Sequence, residues 1–225
     1  MTITTSFLTN NMKDLDLDSI AERIKDFLNQ NCQHLLAGEA LNSPRSVGDA
    51  LQVEIGERAM PFALNDDRIE VRNNFSRRSM EDLAFSVNGK YYAIDVKTHN
   101  IFTDFNMPNL ISAQRLADFY KTDDNNYFCI IIVSYKIENG ELVYTDCHFK
   151  PIENFDWKCL TLGALGCGQI QIKNANNLLF SEMSRKAWML NLCTRMDTFY
   201  NKEIGKIGKR KNWFSQIKDD WENKK

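Results

Sequence analysis

Three side chains in one short stretch have the types and spacing for phosphate chemistry: Asp82, Asp95 and Lys97. The runs DLAFSVN and KYYAIDVK are β-type and flank Asn88-Gly89, the strongest two-residue signal for a type I′ hairpin. With that turn, Val87 faces Lys90, Leu83 faces Ile94, and Asp82 stands opposite Asp95. Alternation then puts Leu83, Phe85, Val87, Ile94 and Val96 on one apolar face. Asp82, Ala84, Ser86, Ala93, Asp95 and Lys97 take the other, so the acids are expected on the face away from the core.

Directly opposed β-carbons are about 4.5–5.5 Å apart, where two carboxylates repel unless something positive lies between them. A divalent cation meets that need. Hard ions such as Mg2+ take carboxylate and carbonyl oxygens, and the Val96 backbone carbonyl, between Asp95 and Lys97, offers a further ligand. Two acids, a cation and an amine on one face suit metal-assisted hydrolysis of a phosphodiester. The ion would neutralise charge building on the phosphate oxygens and acidify a water that Lys97 positions. The same three residues also fit a blander description, solvated polar groups on an exposed sheet face. The register favours the chemistry, because a longer turn would shift the pairing and separate the acids.

Helices and further strands must hold this hairpin. Ile20, Ile24, Phe27, Leu28 and Leu35 recur at helical spacing after acidic residues, predicting a helix over 18–36. A second is expected from near Ser46, with Val47, Leu51 and Ile55 on one side, ending before Pro61. After the hairpin, NLISAQRLADFYK has helical spacing through Leu110, Ile111, Leu116 and Phe119. YFCIIIVSY is near-continuously apolar and β-branched, as a strand buried on both faces must be. ENGELVYTDCHF follows as a strand after a second Asn-Gly turn, GQIQIKN alternates as a short strand, and a long helix runs from Ser181 to about Tyr200. Helices falling between strands indicate an α/β (α+β layered) fold, a mixed central sheet flanked by helices.

Composition agrees with an ordinary globular chain. There are 225 residues, 43% of them apolar and 26% charged, with a mean hydropathy of -0.43. That length is expected to form one domain, 1–225. No run approaches the roughly 18 apolar residues of a membrane helix, and nothing addresses the chain outside the cytoplasm. Six cysteines lie scattered without metal-ligand spacing and read as reduced thiols, so any metal is expected on oxygen. The net charge of -2 argues mildly against a surface that binds polyanions throughout, although Lys206, Lys209, Arg210 and Lys211 cluster near the end.

Asp82 followed by Asp95-Val96-Lys97 on a hydrophobic strand resembles the PD-(D/E)xK nuclease motif, with Glu81 where the family usually has proline. The longer string IDVKTHNIFTDFNMPNLISAQRLADF is similar to the HincII-like branch of type II restriction endonucleases, related to the EcoRV-like group. GQIQIKN and SRKAWMLNLCTRMDTFY extend the likeness, which covers roughly residues 80–200. It implies a restriction-endonuclease-like fold, with N-terminal helices over about 1–78, a catalytic sheet core over about 79–150 and a recognition and C-terminal helical part over about 151–225. It implies that Asp82 and Asp95 hold Mg2+ and that Lys97 is catalytic. It further implies a homodimer cutting double-stranded DNA at a short palindrome, leaving 5′-phosphate and 3′-hydroxyl ends. Many related nucleases carry one more acid on an N-terminal helix, a place Glu54 or Glu57 would fill.

For contacts to DNA, Gln169 and Gln171 project from one face of an alternating strand, with Lys173 and Asn174 beyond them, and amides can pair bidentately with adenine edges. The loop after Lys97 brings Asn106 and Asn109 towards a groove and His99 or Asn100 towards a phosphate. Two other functions fit parts of the pattern: a repair or recombination nuclease on the same scaffold, or a non-catalytic DNA-binding or interaction module.

Overall fold

The computed structural model describes residues 15–76, 79–104, 107–163 and 168–224. Asp16 opens α1 (Leu17–Asn31) by accepting the Ser19 N–H at 3.1 Å, and the helix turns Ile20, Ala21, Ile24 and Leu28 inward. It ends five residues before the expected boundary. Ser43 caps α2 (Pro44–Glu54) in the same way. The expected stop before Pro61 does not occur: a π turn at Ile55–Ala59 carries the chain into α3 (Met60–Leu64), with Pro61 inside it. In a regular helix the proline ring meets the carbonyl four residues back. The wider turn just ahead, in which the Met60 N–H reaches the Ile55 carbonyl, makes room for it.

The hairpin has the predicted register. β1 (Leu83–Val87) pairs antiparallel with β2 (Lys90–Asn100), Val87 opposite Lys90 and Leu83 opposite Ile94. Asn88 and Gly89 have φ of 54° and 75°, the left-handed pair that a type I′ turn demands. β2 runs parallel to β4 (Asn126–Glu138), which turns at Asn139-Gly140 into antiparallel β5 (Glu141–Pro151). The sheet order is β1-β2-β4-β5. α1 covers the β5 edge, where Asn29 exchanges hydrogen bonds with the Tyr144 backbone at 2.9 and 3.0 Å.

The crossover between the parallel strands departs from expectation. Residues 109–112 were expected to be helical but form β3 (Asn109–Ser112), and α4 (Ala113–Thr122) starts only where Ser112 Oγ accepts the Arg115 N–H. β3 pairs with β7 (Gln169–Ile172), which pairs with β6 (Leu160–Gly163), giving a second sheet ordered β3-β7-β6. Gly168, at φ 128°, leads into β7 under α5 (Arg185–Glu222); a β-carbon there would come within 2.5 Å of Met196 Cε. α5 runs well past Tyr200, and its start is tied down by Arg185, which donates to buried Glu153 at 2.9 Å.

These elements close two cores. Phe85, Ile94, Val96, Ile131 and Val133 pack against α1–α3 on one side of the main sheet. On the other side Ala93, Phe128, Ile130 and Ile132 pack against α4, the small sheet and Trp188 of α5. β4 therefore alternates between two interiors, as its continuous apolar run predicts. The mixed sheet with helices on both faces has the expected α+β layering. Cys32, Cys129, Cys147, Cys159 and Cys193 are free thiols. Among the described residues no helix is long and apolar enough to cross a membrane.

Candidate active site

The β1–β2 ladder stops at Leu83 and Ile94, and Asp82 lies one step beyond it. There the Asp82 N–H donates to the Ile94 carbonyl at 2.8 Å, while Asp82 Oδ2 accepts the Val96 N–H at 2.8 Å. The first acid thus replaces a missing backbone partner at the end of the ladder. Asp82 and Asp95 line one cleft of about 380 Å³, together with Ser79, Ser112, Arg115 and Gln169. The acid-bearing face is not the solvent face expected from alternation. The small sheet and α4 cover it, and Asp95 is only 6% exposed.

Burial raises the Asp95 carboxyl to about 7; the neighbouring Lys97 cation opposes the shift and the Asp82 charge adds to it. Lys97 Nζ sits 2.5 Å from Asp95 Oδ1 and 3.5 Å from the Val96 carbonyl. Asp95 Oδ2 is buried without a hydrogen-bond partner. Leaving a charged buried oxygen unpaired costs at least about 1–3 kcal/mol, so the site is built for something positive. The residues fit a hard divalent cation: Asp95 Oδ2, the Asp82 oxygen not used by Val96, and the Val96 carbonyl. No group of three or more His, Cys, Asp or Glu suited to a metal occurs among the described residues. Mg2+ commonly takes only one or two carboxylates and keeps several waters, so this smaller set suffices.

Of the other candidates, Gln169 lines the acid cleft itself. Gln171 lies beside it on β7 and donates to Asn109 Oδ1 at 2.5 Å, so the amides of β7 and β3 form one polar row. Gly163 leaves the space that the Gln171 side chain fills, since a β-carbon would stand 2.4 Å from its Oε1. Lys173 is exposed, and Asn174 accepts the Asn176 N–H in a turn. Asn106 lies outside the described residues.

Other candidates have partners of their own within the fold. Glu54 Oε2 accepts from Arg58 at 2.9 Å and from the Cys32 thiol at 3.7 Å, so it faces α1 and not the acids. Glu57 instead lines a cavity with Gln52, Asn73 and Asp82; it lies inside the π turn Ile55–Ala59, which Glu54 only precedes. His99 is 2% exposed and bonded to Asn176 Oδ1 at 2.7 Å, so it ties β2 to the turn after β7. Asn100 accepts the Phe102 N–H at 3.0 Å and shapes the loop. Ser112 and Arg115 were not anticipated at the site; they fell inside a segment read as plain helix, and its strand start was visible only through pairing with β7.

Paired acids at the end of a hairpin, a lysine two residues on and a cover of amide-bearing strands are the groups that metal-assisted phosphodiester hydrolysis calls for. A family model for restriction endonuclease HincII matches residues 63–204, spanning the hairpin, the amide row and the first half of α5. The chain belongs to the HincII restriction endonuclease family, hydrolases of the type II class that act on double-stranded DNA and generally use a divalent metal. No individual curated protein matches it.

Proposed function

We propose that the protein is a cytoplasmic, Mg2+-dependent type II restriction endonuclease, a single domain over 1–225 that works as a homodimer. It cuts both strands at a short palindromic site and leaves 5′-phosphate and 3′-hydroxyl ends. The observation that carries this reading is Asp95, a buried carboxylate with one oxygen held by Lys97 and the other unpaired, in a cleft shared with Asp82 and Gln169.

Asp82, Asp95 and the Val96 carbonyl would hold Mg2+, which when bound screens phosphate charge and makes a water more acidic. Lys97 keeps one N–H on Asp95 and turns the others towards the attacking water and a phosphate oxygen. The water oxygen forms the new bond to phosphorus and gives up a proton to solvent, the bond to the 3′-oxygen breaks, and that oxygen leaves as the hydroxyl after taking a proton from a solvent water. Asn109, Gln169 and Gln171 face the bases, where each bidentate pair contributes about 1–3 kcal/mol of discrimination. This amide row favours a sequence-specific enzyme over a repair nuclease.

The dimer has support in α5. Tyr200, Ile207, Phe214 and Trp221 recur every seven residues and are all exposed, as are Ile204 and Trp213. That heptad period is the one by which helices pair, and a second copy would cover it. Digestion of defined DNA with Mg2+, and again with EDTA, tests the whole reading. Discrete fragments with the metal alone are expected, and equal cutting of every sequence would overturn it. Sedimentation on cognate DNA should show two chains, and one chain would remove the dimer.

A further inference from the structure

A second cleft, larger than the acid one at about 520 Å³, opens between the edge of β6 and the first half of α5. Its charged lining is all of one sign: Lys173 just past β7, and Arg195 and Lys202 on α5. Arg195 and Lys202 stand seven residues apart and so share a helix face. The Arg195 guanidinium lies over the Trp157 ring, 4.9 Å from its centroid, and the ring fixes its position. Lys173 Nζ donates to the Lys158 carbonyl at 2.7 Å, which aims the amine without neutralising it. Among the described residues none of the three cations has a carboxylate at ion-pair distance. In a chain with net charge -2, three uncompensated cations around one cleft are not a by-product of a basic surface.

The two clefts are joined by β7. Gln169 belongs to the acid cleft and Lys173 to the basic one, with Gln171 between them on the same face. Four residues of strand span about 13 Å. Successive phosphates on one strand of a duplex rise about 3.4 Å along the axis but also wind around it, which puts neighbours roughly twice that far apart in a straight line, so the span matches about two nucleotide steps.

We propose that the basic cleft is a second anchor for the DNA backbone. Lys173, Arg195 and Lys202 each grip one of a run of neighbouring non-scissile phosphates that begins about two steps from the one at Asp82 and Asp95. The flat guanidinium offers two parallel donors to the phosphate oxygens, and the two amines act as point charges. This rests on the acid cleft being the place of cleavage, because the spacing is counted from it.

The test measures binding of the full-length protein to a labelled duplex of about 25 base pairs in EDTA, across a salt series. Each phosphate contact contributes about 0.9 to the slope of log affinity against log salt. Arg195→Gln/Lys202→Gln should lower that slope by about two and weaken binding at moderate salt at least tenfold. Lys202→Gln alone, at an exposed position, should lower it by about one, and Arg195→Lys should keep the wild-type slope. An unchanged slope in the double variant and in Lys202→Gln overturns the proposal, whatever the wild type does with Mg2+. If the slopes fall as expected but the wild type fails to cut DNA with Mg2+, the anchor stands and the acid-cleft reading falls. If a mononucleotide stabilises the wild type but not the variants, and the duplex slopes do not change, the cleft is a small-ligand site and the proposal fails.

Discussion

The two faces of β2 are made by alternate residues of one strand, yet they do opposite work. Tyr92, Ile94 and Val96 enter an interior that is apolar throughout, closed by α1–α3. Ala93, Asp95, Lys97 and His99 point to the other side, where the covering layer is itself partly polar. On the first face burial stabilises the fold; on the second it raises the energy of a charge and keeps it for use. The hairpin turn sets both, since one register decides which residues go which way.

The largest effect that would sharpen this contrast comes from neighbouring residues. Asp95→Ala should lower cleavage by about 10³-fold or more while the protein stays folded. Ile94→Ala should destabilise by about 2–5 kcal/mol through the cavity it leaves, with cleavage per folded molecule nearly unchanged. Cleavage assays and denaturant unfolding on the two variants check the pair. A well-folded, fully active Asp95→Ala protein would break the comparison outright.

A smaller effect concerns pH. The Asp95 carboxyl is raised to about 7 in the folded, metal-free protein, against an ordinary value of 3.8. Between those two values the folded state holds a proton that the unfolded state has released, so this residue's contribution to stability falls as pH rises from about 4 to 7. Melting in EDTA should therefore show Asp95→Asn gaining on the wild type as pH rises through that window. With Mg2+ present the difference should shrink, because the cation relieves the same charge. A gap independent of pH would mean that Asp95 is ionised throughout at no cost.

Asp82 belongs to the comparison as well. Asn retains an oxygen that can accept the Val96 N–H, whereas Ala leaves that N–H bare. Asp82→Asn should lose activity yet melt slightly higher without metal, and Asp82→Ala should melt about 1 kcal/mol lower. Equal melting of the two would deny Asp82 its place at the ladder's end.

The site was legible where local chemistry decided the structure. Asn88-Gly89 set the hairpin, and the hairpin set which residues share a face with Asp95. The run from Phe128 to Tyr135 showed a strand with two buried sides. Burial of the acid face was not legible, because its cover comes from β3, β6, β7 and α4, whose pairing joins residues far apart in the chain. The same distance hid Ser112 and Arg115. Pro61 misled for the opposite reason: its local signal is a stop, and a π turn overrode it. On the outer amide row the alternation was plain, but the bond from Gln171 to Asn109 needed the fold.

A last effect separates two glutamates that stand three residues apart in the sequence. A carboxylate on the N-terminal helices near the acids would orient the water around a bound cation and raise its affinity. Glu57 shares a cavity with Asp82, whereas Glu54 is engaged by Arg58 and Cys32 on the apolar side of the sheet. Glu57→Gln should therefore raise the Mg2+ concentration needed for half-maximal cleavage about tenfold, the size expected for a group that acts through the metal's surroundings. Glu54→Gln should leave that concentration within about twofold and instead ease deprotonation of Cys32, whose thiol is pushed up to about 11 first by burial and then by the Glu54 charge. Metal titrations of cleavage measure the first effect, and the pH dependence of Cys32 alkylation measures the second. If Glu54→Gln shifts the Mg2+ requirement and Glu57→Gln does not, the chemistry draws on both faces of the sheet, and the division of work between them is wrong.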